Sequence, residues 1–369
     1  MSAAPTTPSP TPAEHQSSDA DSATALQNRL MWRGQAGHYE VWYLTLSHKK
    51  TGFWIRYTLE APTPSHGQPY VQLWFCRGDG QNPGKNFGIN QRIPIAALSS
   101  LASPFQIRIG DARLTHSSAS GELRGDGHQV RWDLRWRPAQ TTHLFLPRSL
   151  YNDPLHIAET LVLSPNLSIA VSGTIEVDGE VYELCDAPAG QTHLWGRKHA
   201  YAWAWGHCNA FRDAADPSQP SSAVLETLSV RMRRGPVVIP LTLFTVYPDG
   251  LSGPAIRFTE WADLPFSRSE YRTGHYSLSG QGARHRVEAR FACQADDMLR
   301  SEYVDPDGTP AYCHFAAAAH CHLTIWRRAL PSSAWQLHRE LRSDAGAQFE
   351  WGGRAGDSLV KRRHVTVSD

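Results

Sequence analysis

The chain has 369 residues, enough for two domains that each bury a core of their own. Its 36 Lys and Arg offset 35 Asp and Glu, so it lacks the broad basic field that phosphate-backbone binding draws on, and nucleic acid is not an expected partner. No stretch holds the roughly 18 uninterrupted apolar residues of a membrane-spanning helix, so no integral membrane segment is expected and peripheral contact stays open.

Residues 1–30 are rich in Pro, Ser, Thr and Ala and poor in large apolar side chains, which predicts a disordered tail. The tail lacks the basic start, apolar middle and cleavage site of a secretory signal, so the cytoplasm is the expected location. There the six cysteines are expected as free thiols. From Gly37 the pattern has period two. Tyr39, Val41 and Tyr43 alternate with Glu40, Trp42 and Leu44, a turn follows at 47–52, and Phe53, Ile55, Tyr57 and Leu59 continue, which predicts a hairpin. Alternating runs recur at 70–76, 105–109 and 130–136. In the last, Val130, Trp132, Leu134 and Trp136 face away from Arg131, Asp133 and Arg135, so one face is dry and one wet.

Gly, Pro and Asn clusters such as 77–85 predict loops between these runs. Asp178-Gly179 is placed for a two-residue hairpin turn, and that hairpin marks the expected end of a first domain, 31–185. The second, 186–369, continues in the same style at 225–232, 237–247, 271–278, 285–293 and 320–328, without an internal sequence repeat. Many short strands with no βαβ alternation predict an all-β chain of two antiparallel barrels in tandem, each about wide enough for one small ligand. The 13 Trp, 12 Tyr and 12 Phe favour strands and wide apolar cavities in the same way.

The run from His193 to Phe211 is the densest collection of candidate groups. Period two puts Tyr201, Trp203, Trp205, His207 and Asn209 on one face of a strand and Cys208 on the other. Three aromatics, an imidazole and an amide suit a cavity wall, where aromatic faces hold a carbocation and His or a carboxylate moves a proton; they equally suit a barrel filled by Trp with its polar groups satisfied by backbone. Glu40 shares a face with Trp42, and a carboxyl buried there would be raised in pKa and able to act as an acid, whereas on an outer face it would only be solvated. Cys313-His314 and His320-Cys321-His322 have zinc-ligand types but no CxxC pair, and alternation separates His320 and His322 from Cys321, so no metal is assigned. G-x-S-x-G, G-x-G-x-x-G, P-loop and H-E-x-x-H motifs are absent, so neither a nucleotide cofactor nor serine-hydrolase chemistry is expected.

These residues resemble the superfamily of tocopherol cyclases, carotenoid 1,2-hydratases (hydroxyneurosporene synthases) and AttH-like proteins. His38-Tyr39-Glu40-Val41-Trp42-Tyr43 is similar to its F-E-G-W-Y opening, with Val41 in place of glycine, and Phe53 to Pro62 looks like the strand that follows. Trp203-Ala-Trp205-Gly-His207-Cys208-Asn209-Ala-Phe211 resembles W-x-W-x-Q-C-N-x-F, with His207 where glutamine is usual. Ser164-Pro165 and Ser172 to Gly179 resemble further family elements. The resemblance implies two lipocalin-like domains, a hydrophobic prenylated or polyene substrate, and proton-triggered cyclisation or hydration without a cofactor. On it, His207 or Glu40 is the expected proton donor, Asn209 orients the nucleophile, and Trp42, Trp195, Tyr201, Trp203, Trp205 and Phe211 line the ligand site. A non-catalytic lipid or pigment carrier and a pericyclase-like cyclase that needs neither acid are the alternatives.

Overall fold

The structure, a computed structural model, describes residues 27–152 and 158–367, so residues 1–26 of the expected disordered tail lie outside the described residues. Strands and short 3-10 turns make up the described secondary structure. The strand His38–His48 pairs with Thr51–Ala61 on one side and Glu180–Gly196 on the other. One arm of the sheet continues through Tyr70–Asp79 to Phe87–Pro94; the other runs through Thr160–Val177, His128–Trp136 and Ser118–Gly125 towards Leu98–Ala102.

A second sheet follows the same plan. Ala202–Cys208 pairs with Val224–Arg234 and Gln336–Gly353, one arm runs through Val237–Tyr247 to Ile256–Phe258, and the other through Pro310–Arg327, His285–Ala292 and His275–Gln281 to Ser267–Arg272. The strand order is thus duplicated although the sequence carries no repeat. The Asp178-Gly179 turn forms as read, with both residues at positive φ (52° and 83°), the twist a two-residue hairpin needs. The strand after it runs on to Gly196, so the change of sheet falls between Gly196 and Ala202, beyond the 185/186 division. The chain finally returns to the first sheet, where His364–Val367 pairs parallel with Phe87–Pro94.

Each sheet curls around a core of its own. In the first, Tyr57 of one arm donates to Arg113 O of the other and accepts from Trp132 Nε1, and Phe75 stacks on Trp132. Among the described residues no strand pairing joins the two ends of either ladder, so the expected barrels are curled sheets left open on one side. A third apolar cluster lies between the sheets and takes Tyr39, Val41 and Tyr43 from the first strand, Trp54 and Trp74 from its neighbours, and Trp203, Trp205 and Phe315 from the second sheet. His38–His48 is therefore buried on both faces apart from its last residue, rather than wet on one as strict alternation implies. The outer strand His128–Trp136 keeps the expected pattern, Arg131, Asp133 and Arg135 being exposed.

Small residues let the two sheets touch. A Cβ on Gly52 would lie 1.8 Å from Ala317 O, and one on Gly78 2.9 Å from Ala317 Cβ. The end of the expected tail also packs: Asn28 is buried, accepts from Gln191 Nε2 at 2.9 Å and receives Trp42 Nε1 on its carbonyl at 2.8 Å. Composition does not reveal this because residues 27–32 are held by a few polar bonds to the sheet and by just two apolar side chains, Leu30 and Trp32, packed against the first core.

Candidate active site

A cavity of about 190 Å³ opens within the cluster between the sheets. It exceeds the ~150 Å³ apolar cavity known to take up benzene, so it holds a ring with substituents. Tyr39, Val41 and Tyr43 form one wall because odd residues of His38–His48 face the second sheet; Trp203 and Trp205 form the opposite wall by the same alternation in Ala202–Cys208. Trp54, Leu228, Val230 and Leu243 extend these walls, and Phe145, Leu146 and Leu150 cross them from a connecting segment.

Few polar groups reach this space. His199 lines it, stacked on Tyr39 (4.7 Å between centroids), Trp203 (5.3 Å) and Tyr303 (5.3 Å). Its Nδ1 lies 2.6 Å from Asp305 Oδ1, which also accepts the His199 backbone N–H at 3.0 Å; the other Asp305 oxygen accepts from Arg354 at 2.6 Å. Burial alone would raise the Asp305 carboxyl, but the bonds from His199 and Arg354 outweigh it and hold the group below its ordinary range. Asp305 is thus an ionised acceptor, which keeps the proton on Nδ1, and the hydrogen bonds of His199 run through its Nδ1, backbone N–H and backbone O, none through Nε2.

Glu350 lines the cavity next to it and accepts from Trp203 Nε1 at 2.8 Å and Cys313 Sγ at 3.3 Å. Burial pushes the Cys313 thiol well up, so it stays the donor. Arg56 gives Nη1–H to Tyr303 OH at 2.8 Å and Nε–H to Thr58 at 3.1 Å, with its guanidinium over the faces of Trp54, Trp74 and Tyr303. The neighbouring Glu60 is pushed up to about 8 by burial, so at neutral pH it is mostly a neutral carboxylic acid.

The residues singled out from the sequence scatter. Trp203 and Trp205 stand in the cavity. His207 is buried beyond it, with Nδ1 2.6 Å from Glu226 and Nε2 unpartnered, while the other Glu226 oxygen receives Trp205 Nε1 at 2.5 Å. Asn209 donates to Ser168 Oγ (3.1 Å) and Ala189 O (2.9 Å), a clamp from the second sheet onto the first. Glu40 faces away from the cavity. Its two oxygens accept from Met31 N, Trp32 N, His38 Nε2 and His193 Nε2 at 2.7–3.1 Å. Burial raises that carboxyl, but the bonds from His193 and His38 outweigh it, so the group lies below its ordinary range rather than above it as an acid would. Trp42 stacks on His193 and Trp195 tilts against it, on the Glu40 side. Tyr201 is exposed under Arg233, and Phe211 lies in the second core.

The zinc-type residues also part company. Cys313 turns to Glu350, His314 accepts from Asp357 N at 2.9 Å, His320 and His322 pair with Asp344 and Glu340, and Cys321 enters the second core. Sequence reasoning passed over His199, Asp305, Arg56, Tyr303 and Glu350. His199 lies in the aromatic run but outside its alternating part, and Asp305 opens an Asp-Pro-Asp-Gly sequence whose composition signals a turn rather than chemistry.

Comparison with known proteins agrees with this architecture. Residues 112–353 match the family described as tocopherol cyclase-like. An uncharacterized protein of Mycobacterium tuberculosis strain H37Rv is 27% identical over 304 residues, covering 80% of this chain and 84% of that protein. A probable chloroplastic tocopherol cyclase of Oryza sativa is 24% identical over 189 residues, 49% of this chain but only 37% of the rice protein. The crystal structure of a putative AttH from Nitrosomonas europaea superposes with a TM-score of 0.54 at 14% identity, covering 86% of this chain and 93% of that one, a likeness of fold. The match spans well over half of the chain and includes the strand that carries Trp203 and Trp205: this protein belongs to the tocopherol cyclase-like family.

Proposed function

We propose that this protein is an acid–base enzyme that cyclises or hydrates an apolar, alkene-bearing molecule of the prenylated or polyene class, with His199 as the group that exchanges the proton. One observation carries this: an imidazole whose Nδ1 is held by a buried carboxylate, leaving Nε2 outside its hydrogen bonds, lines a ring-sized, aromatic-walled cavity. In the forward step the ring starts as an imidazolium, Nδ1–H held by Asp305; its Nε2 proton adds to one alkene carbon, the π pair forms the new C–H bond, the ring is left neutral, and the faces of Trp203, Trp205 and Trp54 stabilise the cation left on the other carbon. A hydroxyl of the substrate, or a water, then donates a lone pair to that carbon and returns its proton to Nε2. The proton is borrowed and restored, so the step needs no oxidant, reductant or co-reactant beyond that hydroxyl or water.

Asp305 holds the ring and compensates its charge when Nε2 is protonated, and Arg56 with Tyr303 is placed to hold an oxygen of the ligand's head group. The name of the rice relative, a probable tocopherol cyclase, favours cyclisation. The test is incubation of wild type and His199→Gln with a panel of prenylated quinols and polyenes in D₂O, followed by mass spectrometry. Wild type is expected to return a product with one carbon-bound deuterium, and His199→Gln to bind the same molecule and return it unchanged. Recovery of unchanged ligand from wild type would make the protein a carrier, and deuterium incorporation by the variant would remove His199 from the chemistry.

A further inference from the structure

Beside the charged groups Glu159, Lys198 and Arg234, the cavity mouth has an apolar side. Val230, Met232 and Arg234 line it from one strand and Leu241 and Leu243 from the next; in this antiparallel pair the residues opposite Met232 and Arg234 are Ile239 and Val237. Paired residues share a face, so Val237 and Ile239 carry the cavity wall outward past the mouth. There the hairpin leaves the protein body. Every residue from Arg233 to Pro240 is exposed, with Val237, Val238 and Ile239 at 55%, 42% and 40%. A second lip does the same: Trp261 and Leu264 line the cavity, yet Trp261 is 47% and Phe266 60% exposed.

Three adjacent aliphatics on a hairpin tip and an exposed aromatic pair at the second lip, of which Trp261 gives only its Nε1–H to Ser149 Oγ at 3.0 Å, form an apolar patch left exposed among the described residues. The charge around it has one sign on the hairpin. Arg231, Arg233 and Arg234 stand on it, and no carboxylate lies between Arg231 and Leu241. Two of these cations rest over tyrosines, Arg233 over Tyr201 and Arg231 over Tyr271. Of the carboxylates at this end, Glu159 lies 4.0 Å from Arg234, Asp263 is used inside its own turn as acceptor for Thr259 N and Glu260 N, and Glu260 stands exposed at the start of that turn, opposed by the three arginines of the hairpin. Aliphatic and aromatic tips flanked by arginine, at the opening of an apolar cavity, match the boundary of an anionic bilayer, where acyl chains meet phosphates.

We infer that the Arg231–Leu241 hairpin and the Trp261–Phe266 turn form a docking surface for anionic lipid membranes, through which an apolar ligand passes between bilayer and cavity. The inference holds whether or not the bound molecule is transformed. Its experiment is flotation of the full chain with phosphatidylcholine vesicles, with and without phosphatidylglycerol. Wild type is expected to float with the anionic vesicles and to be released by salt. Val237→Ser/Val238→Ser/Ile239→Ser is expected to lower partitioning at least tenfold, about 1.4 kcal/mol. Arg231→Gln/Arg233→Gln is expected to lower it about 25-fold on anionic vesicles alone, from roughly fivefold per cation. Leu101→Ser, which removes an equally exposed aliphatic (54%) on the first sheet, is expected to float as wild type. Unfolding midpoints equal to wild type identify the losses as surface effects. Absence of wild type from both floated fractions, undiminished flotation of the triple variant, or a triple variant that instead abolishes self-association in sedimentation would overturn the inference, the last in favour of a second copy on this patch.

Discussion

Replacing Glu40 with Gln separates a structural carboxylate from a catalytic one. The side chain is fully buried and receives four donors, two on each oxygen, at 2.7 to 3.1 Å. An amide NH₂ in place of one oxygen faces two donors and can accept from neither, so two charge-assisted bonds are lost and N–H is set against N–H. At about 1.5–3 kcal/mol for each such bond, the expected loss is about 3–5 kcal/mol. With a urea dependence near 3 kcal/mol/M, that moves the unfolding midpoint down by about 1–2 M.

The pH dependence has a definite sign. Hydrogen bonds from the two histidines hold the folded carboxyl below its ordinary 4.5, so its contribution is complete above that value and is lost as pH falls through the lower folded one. The gap between wild type and Glu40→Gln is therefore full at neutral pH and closes in acid. Urea titrations at neutral and acidic pH read it, and proteolysis near residues 27–32 reports whether that segment has come loose. An unchanged midpoint at neutral pH combined with abolished turnover would refute the structural role and restore Glu40 as an acid.

Gly52→Ala is expected to cost about 1–3 kcal/mol in urea titration, because its Cβ would meet Ala317 O and the sheets must part to admit it. Asn209→Ala should lose about 1–2 kcal/mol, from two bonds across the sheets, and leave ligand affinity as in wild type by fluorescence titration. Trp203→Ala removes a cavity wall and the donor to Glu350, so ligand quenching of tryptophan fluorescence should weaken by at least tenfold (about 1.4 kcal/mol) while Trp195→Ala, outside the cavity, leaves the affinity unchanged.

Local pattern exposed much of the fold and little of the site. Period-two runs and the Asp178-Gly179 turn are short-range signals, and they located the hairpin and most strands; the run 271–278 instead breaks at the Thr273-Gly274 turn between Ser267–Arg272 and His275–Gln281. What alternation cannot say is what covers each face. Glu40 and Tyr39 are neighbours in sequence on opposite sides of one strand; the sequence shows that they part, not that Tyr39 meets a second sheet while Glu40 meets the 27–32 segment. Trp203 and Trp205 were legible because composition and phase coincide there. The His199–Asp305 pair is separated by 106 residues, and nothing local to either announces the other. The duplicated strand order was hidden for a related reason: it is fixed by which faces are buried, a requirement that many unrelated side chains meet.

Where the proton moves decides the function, and the most direct measurement is the turnover of His199→Gln, Asp305→Asn and Glu40→Gln on one substrate found active with wild type. Loss of general acid–base catalysis is worth about 10²–10⁴ in rate. The expected result is a fall in kcat of that size for the first two with binding retained, and wild-type kcat for folded Glu40→Gln. Wild-type kcat in His199→Gln, or a loss confined to Glu40→Gln, would contradict the assignment of the chemistry to the cavity between the sheets.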